Sequence, residues 1–317
     1  MVINRKSIID ILIIIVAFSL FVIWNSKNEN DSVPTLEPSL RYSKVYLITI
    51  DKTDQFWYSI DKGASDMAAL AGVTYLWDAP EKKDTEMQIE ILNKAVNDGA
   101  NVIMLAANDP IKISSAVEDA KARAVKIIYV DSPANEEAII TLSTNNYTAG
   151  VTAAETMILE LEALGIESGS IGIIGVNKVT NSTLEREAGF RDTIEANGRF
   201  ALLNTVYGNG VTAISQQAAA GLITNNTDLV GLFGANEGST QGVGNAIKAS
   251  NKPIIGIGFD KSETILELIQ EGSIKATIAQ NPYTMGYLGM AEAIAAIKGY
   301  KTGPDYINTG VTVIKKR

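Results

Sequence analysis

The sequence predicts an α/β protein of two similar, doubly wound parallel-sheet lobes, preceded by an N-terminal membrane anchor helix. Three observations carry that expectation. From residue 45 onward, apolar runs of strand length alternate with amphipathic segments of helix length, the pattern of βα units and so of parallel sheets covered on both faces. The runs begin at Val45, Val73, Val102 and Ile127, then at Ile171, Ala201, Leu229 and Ile254; the steps are 28, 29 and 25 residues, then 30, 28 and 25, so one spacing occurs twice. Last, Lys126-Ile127-Ile128-Tyr129-Val130-Asp131 and Pro253-Ile254-Ile255-Gly256-Ile257-Gly258-Phe259-Asp260 both close abruptly on a carboxylate. A (β/α)8 barrel is the competing architecture, because eight units are present.

Composition narrows the chemistry. The 317 residues suffice for two medium domains with real cores. There is no His and no Cys, which excludes disulfides, Cys/His zinc sites, Ser-His-Asp triads, thiol nucleophiles and a lipid-modified cysteine. No D-x-D-x-D-G loop is present either, so neither a metal nor a cofactor is expected. The net charge of −9 argues against nucleic acid, which needs a cationic face.

Taken in order, residues 8–24 are almost wholly apolar and follow Arg5 and Lys6. A helix of that length reaches roughly 25 Å, near the lower limit for a bilayer span. The basic flank predicts the N-terminus inside and the remainder outside. Ala17-Phe18-Ser19 lies within the apolar core rather than after it, so an uncleaved signal anchor over 1–25 is preferred to a cleaved signal peptide. Residues 26–43 are polar, with Pro34 and Pro38, and read as a tether.

Helices are expected near 55–71, 84–98 and 110–124 in the first half, and near 182–197, 211–225 and 237–249 in the second. Between the halves lie a short run at 139–146 and a helix near 147–164. After the last unit come a run at 276–280, a helix near 283–299 and a terminal strand near 305–314. These pieces do not fit further barrel units and suit a chain that crosses between lobes. The expected partition is 44–144 with 281–304, and 145–280 with 305–317.

In parallel α/β sheets ligands bind beyond the carboxyl ends of strands. Those ends carry Asp51 to Trp57, Asn108 and Asp109, Asp131 and Ser132, Asn177 to Asn181 with Arg186 just beyond, Asn236 and Glu237, Asp260, and Gln280. Amides and carboxylates donate to and accept from vicinal hydroxyls, and an aromatic ring covers the apolar face of a sugar. Taken singly, an Asn or Asp after a strand reads as a turn or helix cap, and Arg186 in Leu184-Glu185-Arg186-Glu187 reads as a local salt bridge. The matched Asp131 and Asp260 are least easily explained that way. Gly238-x-x-x-Gly242-x-Gly244 and the 169–177 segment do not form a phosphate loop.

With those residues in view, the chain resembles the ribose/xylose-type sugar-binding proteins of the type I periplasmic-binding fold. The resemblance spans about 44–314 and rests on Asp54-Gln55-Phe56-Trp57, Glu185-Arg186-Glu187-Ala188-Gly189-Phe190, Gly234-Ala235-Asn236-Glu237, Gly258-Phe259-Asp260, Ala279-Gln280-Asn281-Pro282, and Asn145-Asn146 at the first crossing. It implies two lobes, three crossing segments and closure over one monosaccharide. Phe56 and Trp57 would sandwich or line the ring; Asp131, Arg186, Asn236, Asp260 and Gln280 would bind its hydroxyls, with Asp54 and Asn145 alongside. Asp54 replaces the family Asn, Asp131-Ser132 lacks the family Arg, Ala106 stands where an Asn is expected, and Tyr207 is the one candidate for a further aromatic.

The resulting expectation is an extracellular, membrane-tethered receptor for a monosaccharide, with D-xylose as the specific candidate. It signals to a membrane sensor histidine kinase or, alternatively, serves the permease of a sugar ABC transporter. An enzyme acting on carbohydrate through Asp131 and Asp260 is the remote alternative, and a repressor is excluded because the apolar stretch stands where a helix-turn-helix would be.

Overall fold

Strands form where apolar runs are buried on both faces, and Val102–Leu105 is the plainest case, with every residue buried. The computed structural model describes Leu40 and residues 42–316. The expected anchor over 1–25 and most of the tether lie outside the described residues; among those described, no helix is long and apolar enough to cross a membrane.

The first part of the chain runs β1 (Lys44–Ile48), α1 (Gln55–Ala71), β2 (Thr74–Asp78), α2 (Thr85–Asn97), β3 (Val102–Leu105), α3 (Ser114–Ala122), β4 (Lys126–Val130) and β5 (Thr141–Ser143). The second runs α4 (Asn146–Ala163), β6 (Gly169–Gly175), α5 (Asn181–Asn197), β7 (Phe200–Leu202), β8 (Val206–Tyr207), α6 (Thr212–Asn225), β9 (Leu229–Gly234), α7 (Glu237–Ser250), β10 (Ile255–Phe259), α8 (Glu263–Glu271) and β11 (Ala276–Gln280). Then follow α9 (Pro282–Ile297), β12 (Tyr306–Asn308) and β13 (Val311–Lys315).

Two open sheets result, in the orders β12-β5-β4-β3-β1-β2 and β13-β11-β10-β9-β6-β7, with β8 also on β6. All pairings are parallel except β11 with β13. The barrel is thereby excluded. Each lobe places its first strand between its second and third, so the winding reverses there and a crevice opens at the carboxyl ends. One apolar cluster covers each face of each sheet: α1 and α9 against α2 and α3 in the first lobe, α4 and α5 against α6, α7 and α8 in the second.

The chain crosses between sheets after β5, after β11 and between β12 and β13. The single terminal strand expected near 305–314 is therefore two strands on different sheets. Gly310, with φ 72°, breaks it, and its N–H donates to Asn308 Oδ1. The stretch beginning at Ala201 likewise splits into β7 and β8. Helix α8 has no counterpart in the sequence reading. Ser262 Oγ caps it by accepting from the Ile265 N–H, and Gly272 ends it at φ 89°.

Two helix pairs repeat the same packing device. A Cβ on Gly63 of α1 would strike the Tyr283 carbonyl of α9, and one on Gly286 would strike the Ile60 carbonyl. In the second lobe, Gly150 of α4 sits against the Arg186 carbonyl of α5, and Gly189 against the Tyr147 carbonyl. Backbone thus touches backbone in both pairs.

Candidate functional site

Asp131 and Asp260 are held alike. Both have left-handed backbone, φ 66° and 71°, a conformation that Asp tolerates better than most residues. Hydrogen bonds hold each in place. The Asp131 N–H donates to Leu142 O at 2.8 Å and the Ser143 hydroxyl donates to its carbonyl at 2.6 Å. The Asp260 N–H donates to Ile278 O at 3.0 Å and the Thr277 hydroxyl donates to its carbonyl at 2.7 Å.

Their carboxylates differ in partners. Ser132 Oγ donates to Asp131 Oδ2 and lies 2.9 Å from Ser182 Oγ of the opposite lobe. A hydroxyl has one proton, so Ser182 is the donor in that second contact. Asp260 accepts from Gln280 Nε2 at 2.7 Å and from the Glu237 N–H at 3.1 Å. Burial raises the pKa of both Asp residues, that of Asp131 to about 6, against the opposing pull of Arg186.

Arg186, 2 % exposed, sits with its guanidinium carbon 3.3 Å from the centroid of the Phe259 ring. It donates to Ala235 O and to Asn146 Oδ1, the latter at 2.7 Å. Burial lowers its pKa, while the charges of Asp260 and Asp131 work to keep it cationic. Here the sequence reading is corrected. Asn145 is exposed and caps α4, its Oδ1 accepting from the Thr148 N–H; the inward residue is Asn146. Helix phase explains the exchange, because the cap must turn back over the first turn while the next side chain turns inward to accept from Arg186 and donate to Thr144 O.

From the first lobe come Asp54, Phe56 and Trp57. The two rings are 4.9 Å apart at 82°, edge to face, so they line one corner and do not form a parallel sandwich. Asn236 uses Oδ1 to cap α7 through the Ser239 N–H at 3.0 Å, which leaves Nδ2 as its cleft-facing group, 3.5 Å from Asp54 Oδ2.

Lys83 was not among the expected site residues. Its Nζ is 2.7 Å from Asp51 and 3.6 Å from Asp54. Burial opposes charge on both, but Lys83 outweighs it for Asp51, which is held below its usual value, and Asp54 together with Asp51 outweighs it for Lys83, which is held above. Burial lifts Asp54 to about 6 in spite of Lys83. Glu237 Oε2 accepts the Phe56 N–H across the cleft, and burial together with Asp54 and Asp260 pushes Glu237 to about 8. The signal for Lys83 was its place after the second strand, an end absent from the strand-end residues read from the sequence. Glu237 follows a strand too and reads locally as the first residue of a helix.

These groups surround a cavity of about 40 Å³ lined by Asp54, Phe56, Trp57, Lys83, Asp131, Arg186, Asn236, Asp260 and Gln280. Three of its polar atoms, Trp57 Nε1, Arg186 Nε and Gln280 Oε1, are buried with no hydrogen-bond partner among the described residues. An unpaired buried polar atom costs about 1–3 kcal/mol, so three on one cavity call for a polar occupant. The arrangement provides donors, acceptors and an aromatic corner. Among the described residues there is no group of His, Cys, Asp and Glu able to hold a metal ion.

Most of the chain is similar to known proteins. The periplasmic binding protein domain matches residues 45–301. The chain is similar to the ribose import binding protein RbsB of Haemophilus influenzae, 25% identical over 276 residues, covering 77% of this chain and 89% of that protein. Among solved structures, a carbohydrate transporter solute binding protein from Agrobacterium radiobacter in complex with D-arabinose superposes with a TM-score of 0.83 and 28% identity, covering 86% of this chain and 94% of that one. An ABC transporter solute binding protein from Agrobacterium vitis with bound D-fucose gives 0.82 and 28%, covering 86% and 96%.

Proposed function

The chain belongs to the periplasmic binding protein domain family, and from that premise we propose that it is the solute-binding subunit of a sugar ABC transporter, capturing one neutral monosaccharide between its lobes. The observation that carries this reading is Arg186, buried between the strand-end carboxylates of both lobes beside a polar cavity with three unpartnered atoms. Asp54, Phe56, Trp57 and Asp131 belong to one lobe; Arg186, Asn236, Asp260 and Gln280 belong to the other. A sugar meeting both sets does so only when the lobes are closed, so its binding free energy shifts the population toward closure. A closed rim then engages the permease. The bound unit is a pentose or hexose of the kind its neighbours take, with D-xylose as the specific candidate.

In this reading the Ser182–Ser132–Asp131 relay takes the place of a second cation beside Asp131, and the carboxyls of Asp131 and Asp54 accept from sugar hydroxyls. The paired carboxylates bind and do not cleave. Titration calorimetry against pentoses and hexoses tests the reading: one monosaccharide should bind with 1:1 stoichiometry at micromolar or tighter Kd, and heat from none of them at millimolar concentration would end it.

A second reading keeps the site and changes the partner. The apolar stretch at 8–24 and the lack of cysteine favour a membrane-anchored receptor whose closed form reports to a sensor histidine kinase. Co-purification from membranes with and without sugar separates the two: a permease retained in a sugar-dependent manner supports the first, a histidine kinase the second.

A further inference from the structure

We propose that Glu237 and Gln55 are positioning residues for closure, each capping from its own lobe the N-terminus of a helix in the other, and that together they set how long a bound sugar is retained. This rests on the sugar-binding reading above. The leading N–H groups of a helix have no partner inside it, and a side-chain oxygen at the N-cap ordinarily takes one of them. Here part of that task falls to the opposite lobe.

At α1 the N-cap residue, Asp54, makes no side-chain capping bond. The Trp57 N–H turns back on Asp54 O at 3.1 Å, and the Gln55 and Phe56 N–H groups have no acceptor within the helix. Glu237, 4 % exposed and the first residue of α7, supplies Oε2 to the Phe56 N–H at 3.3 Å. Its Oε1 accepts from Gln241 Nε2 at 3.2 Å, and that amide also donates to Ser262 Oγ at 3.3 Å. Both carboxyl oxygens are thus taken by protein donors.

At α8 the exchange runs the other way. Ser262 Oγ accepts from the Ile265 N–H at 3.3 Å and Ser262 O from the Leu266 N–H at 3.0 Å. The Glu263 N–H, first of the helix, donates to Gln55 Oε1 at 3.4 Å. The contacts form one circuit, from α1 through Glu237, Gln241 and Ser262 to the start of α8, and through Gln55 back to α1. Two further bonds cross at the start of α5, Thr180 Oγ1 to Asn108 O at 3.0 Å and the Ser182–Ser132 hydroxyl pair at 2.9 Å. The lobes are therefore joined at α5 by hydroxyls and at α1 by the exchanged caps. When the lobes part, water replaces each cap, so each contributes to the closed form only the net worth of one hydrogen bond, about fivefold in population. Sugar leaves on opening, and the factor appears in the dissociation rate.

The test is calorimetry and stopped-flow release on the full chain, with the pentose or hexose that binds, starting from D-xylose, D-ribose, D-glucose and D-galactose. Glu237→Ala should speed release about fivefold and raise Kd to match, with the order of preference among sugars kept. Glu237→Gln, which retains an acceptor oxygen, should return the release rate to within about twofold of wild type. Gln55→Ala should speed release by about the same factor as Glu237→Ala. The Gln55 side chain is exposed and lies outside the cavity lining, so it decides the matter if Glu237→Ala does not fold. Wild-type release from either alanine variant that folds overturns the exchanged caps and leaves the sugar-binding reading intact. Release from Glu237→Gln as fast as from Glu237→Ala overturns them too, since the loss would then follow the charge and not the acceptor. A changed order of preference in either alanine variant places that residue on the sugar and has the same consequence. Heat from no pentose or hexose overturns both readings.

Discussion

Asp131 and Asp260 end equivalent strands of the two lobes in the same left-handed conformation, and one buried guanidinium, that of Arg186, answers to both. A charge so enclosed depends on its counter-charges. Asp260→Asn keeps the shape and removes one of them, and it leaves Arg186 in a buried site with less compensation. The expected result is a loss of sugar affinity of about 2–3 kcal/mol, or roughly 30- to 150-fold by calorimetry, since hydrogen bonds to charged groups carry about 1.5–3 kcal/mol. Asp131→Asn should cost less, because Ser132 can turn to donate to the amide oxygen as it does to the carboxylate.

Lys83 joins Asp51 and Asp54 in the first lobe. Asp51 is fully buried, so Lys83→Met strands a carboxylate with only the Thr53 and Asp54 groups as donors. Breaking one side of a buried pair costs about 3–5 kcal/mol. Urea unfolding should show a loss of that order in Lys83→Met, and the double variant with Asp51→Asn should recover much of it. Strictly additive losses would contradict the coupling.

The acid cluster sets a pH dependence whose sign follows from its raised values. Asp54 and Asp131 titrate at about 6 and Glu237 at about 8 in the folded chain, above ordinary carboxyl values of about 4. The folded state therefore binds these protons more tightly than the unfolded one. Their contribution to stability is complete below about pH 4 and is lost as pH rises, through about 6 for the Asp pair and about 8 for Glu237. Thermal unfolding of the ligand-free protein should show Tm falling between pH 4 and 8, and Glu237→Gln should flatten the part above pH 6. A Tm that climbs across that window is the opposing result.

Gly150 and Gly189 let α4 and α5 touch along their backbones, and α5 carries Arg186. Gly150→Ala forces a methyl group against the Arg186 carbonyl. Overpacking of this kind costs about 1–3 kcal/mol. It should also weaken sugar binding, because the helix that aims the guanidinium is displaced, whereas Gly221→Ala on α6, where a Cβ meets nothing within 4 Å, should leave affinity unchanged.

Much of this was legible in the chain because parallel strands buried on both faces must be continuous apolar runs, and their carboxyl ends are marked by polar residues immediately after. Asp131, Asp260, Asn236 and Gln280 could be found that way. Asn145 and Asn146 could not be told apart, since which of two adjacent amides caps and which points inward is a matter of helix phase. Lys83 was hidden for another reason: Lys82-Lys83 in a polar loop looks solvated until folding brings Asp51 and Asp54 beside it. The break at Gly310 sends two short strands to different sheets, and nothing local in their apolar residues distinguishes their destinations.

The central claim is that a sugar holds the two lobes together through this site. Because the chain has no cysteine, Glu81→Cys on the first lobe and Lys178→Cys on the second can be labelled specifically for energy transfer. Addition of the monosaccharide identified by calorimetry should shorten and narrow the interlobe distance distribution in the wild-type background, and should do so only at far higher sugar concentration with Asp260→Asn. A sugar that binds in calorimetry yet leaves the interlobe distance distribution unchanged would contradict the account.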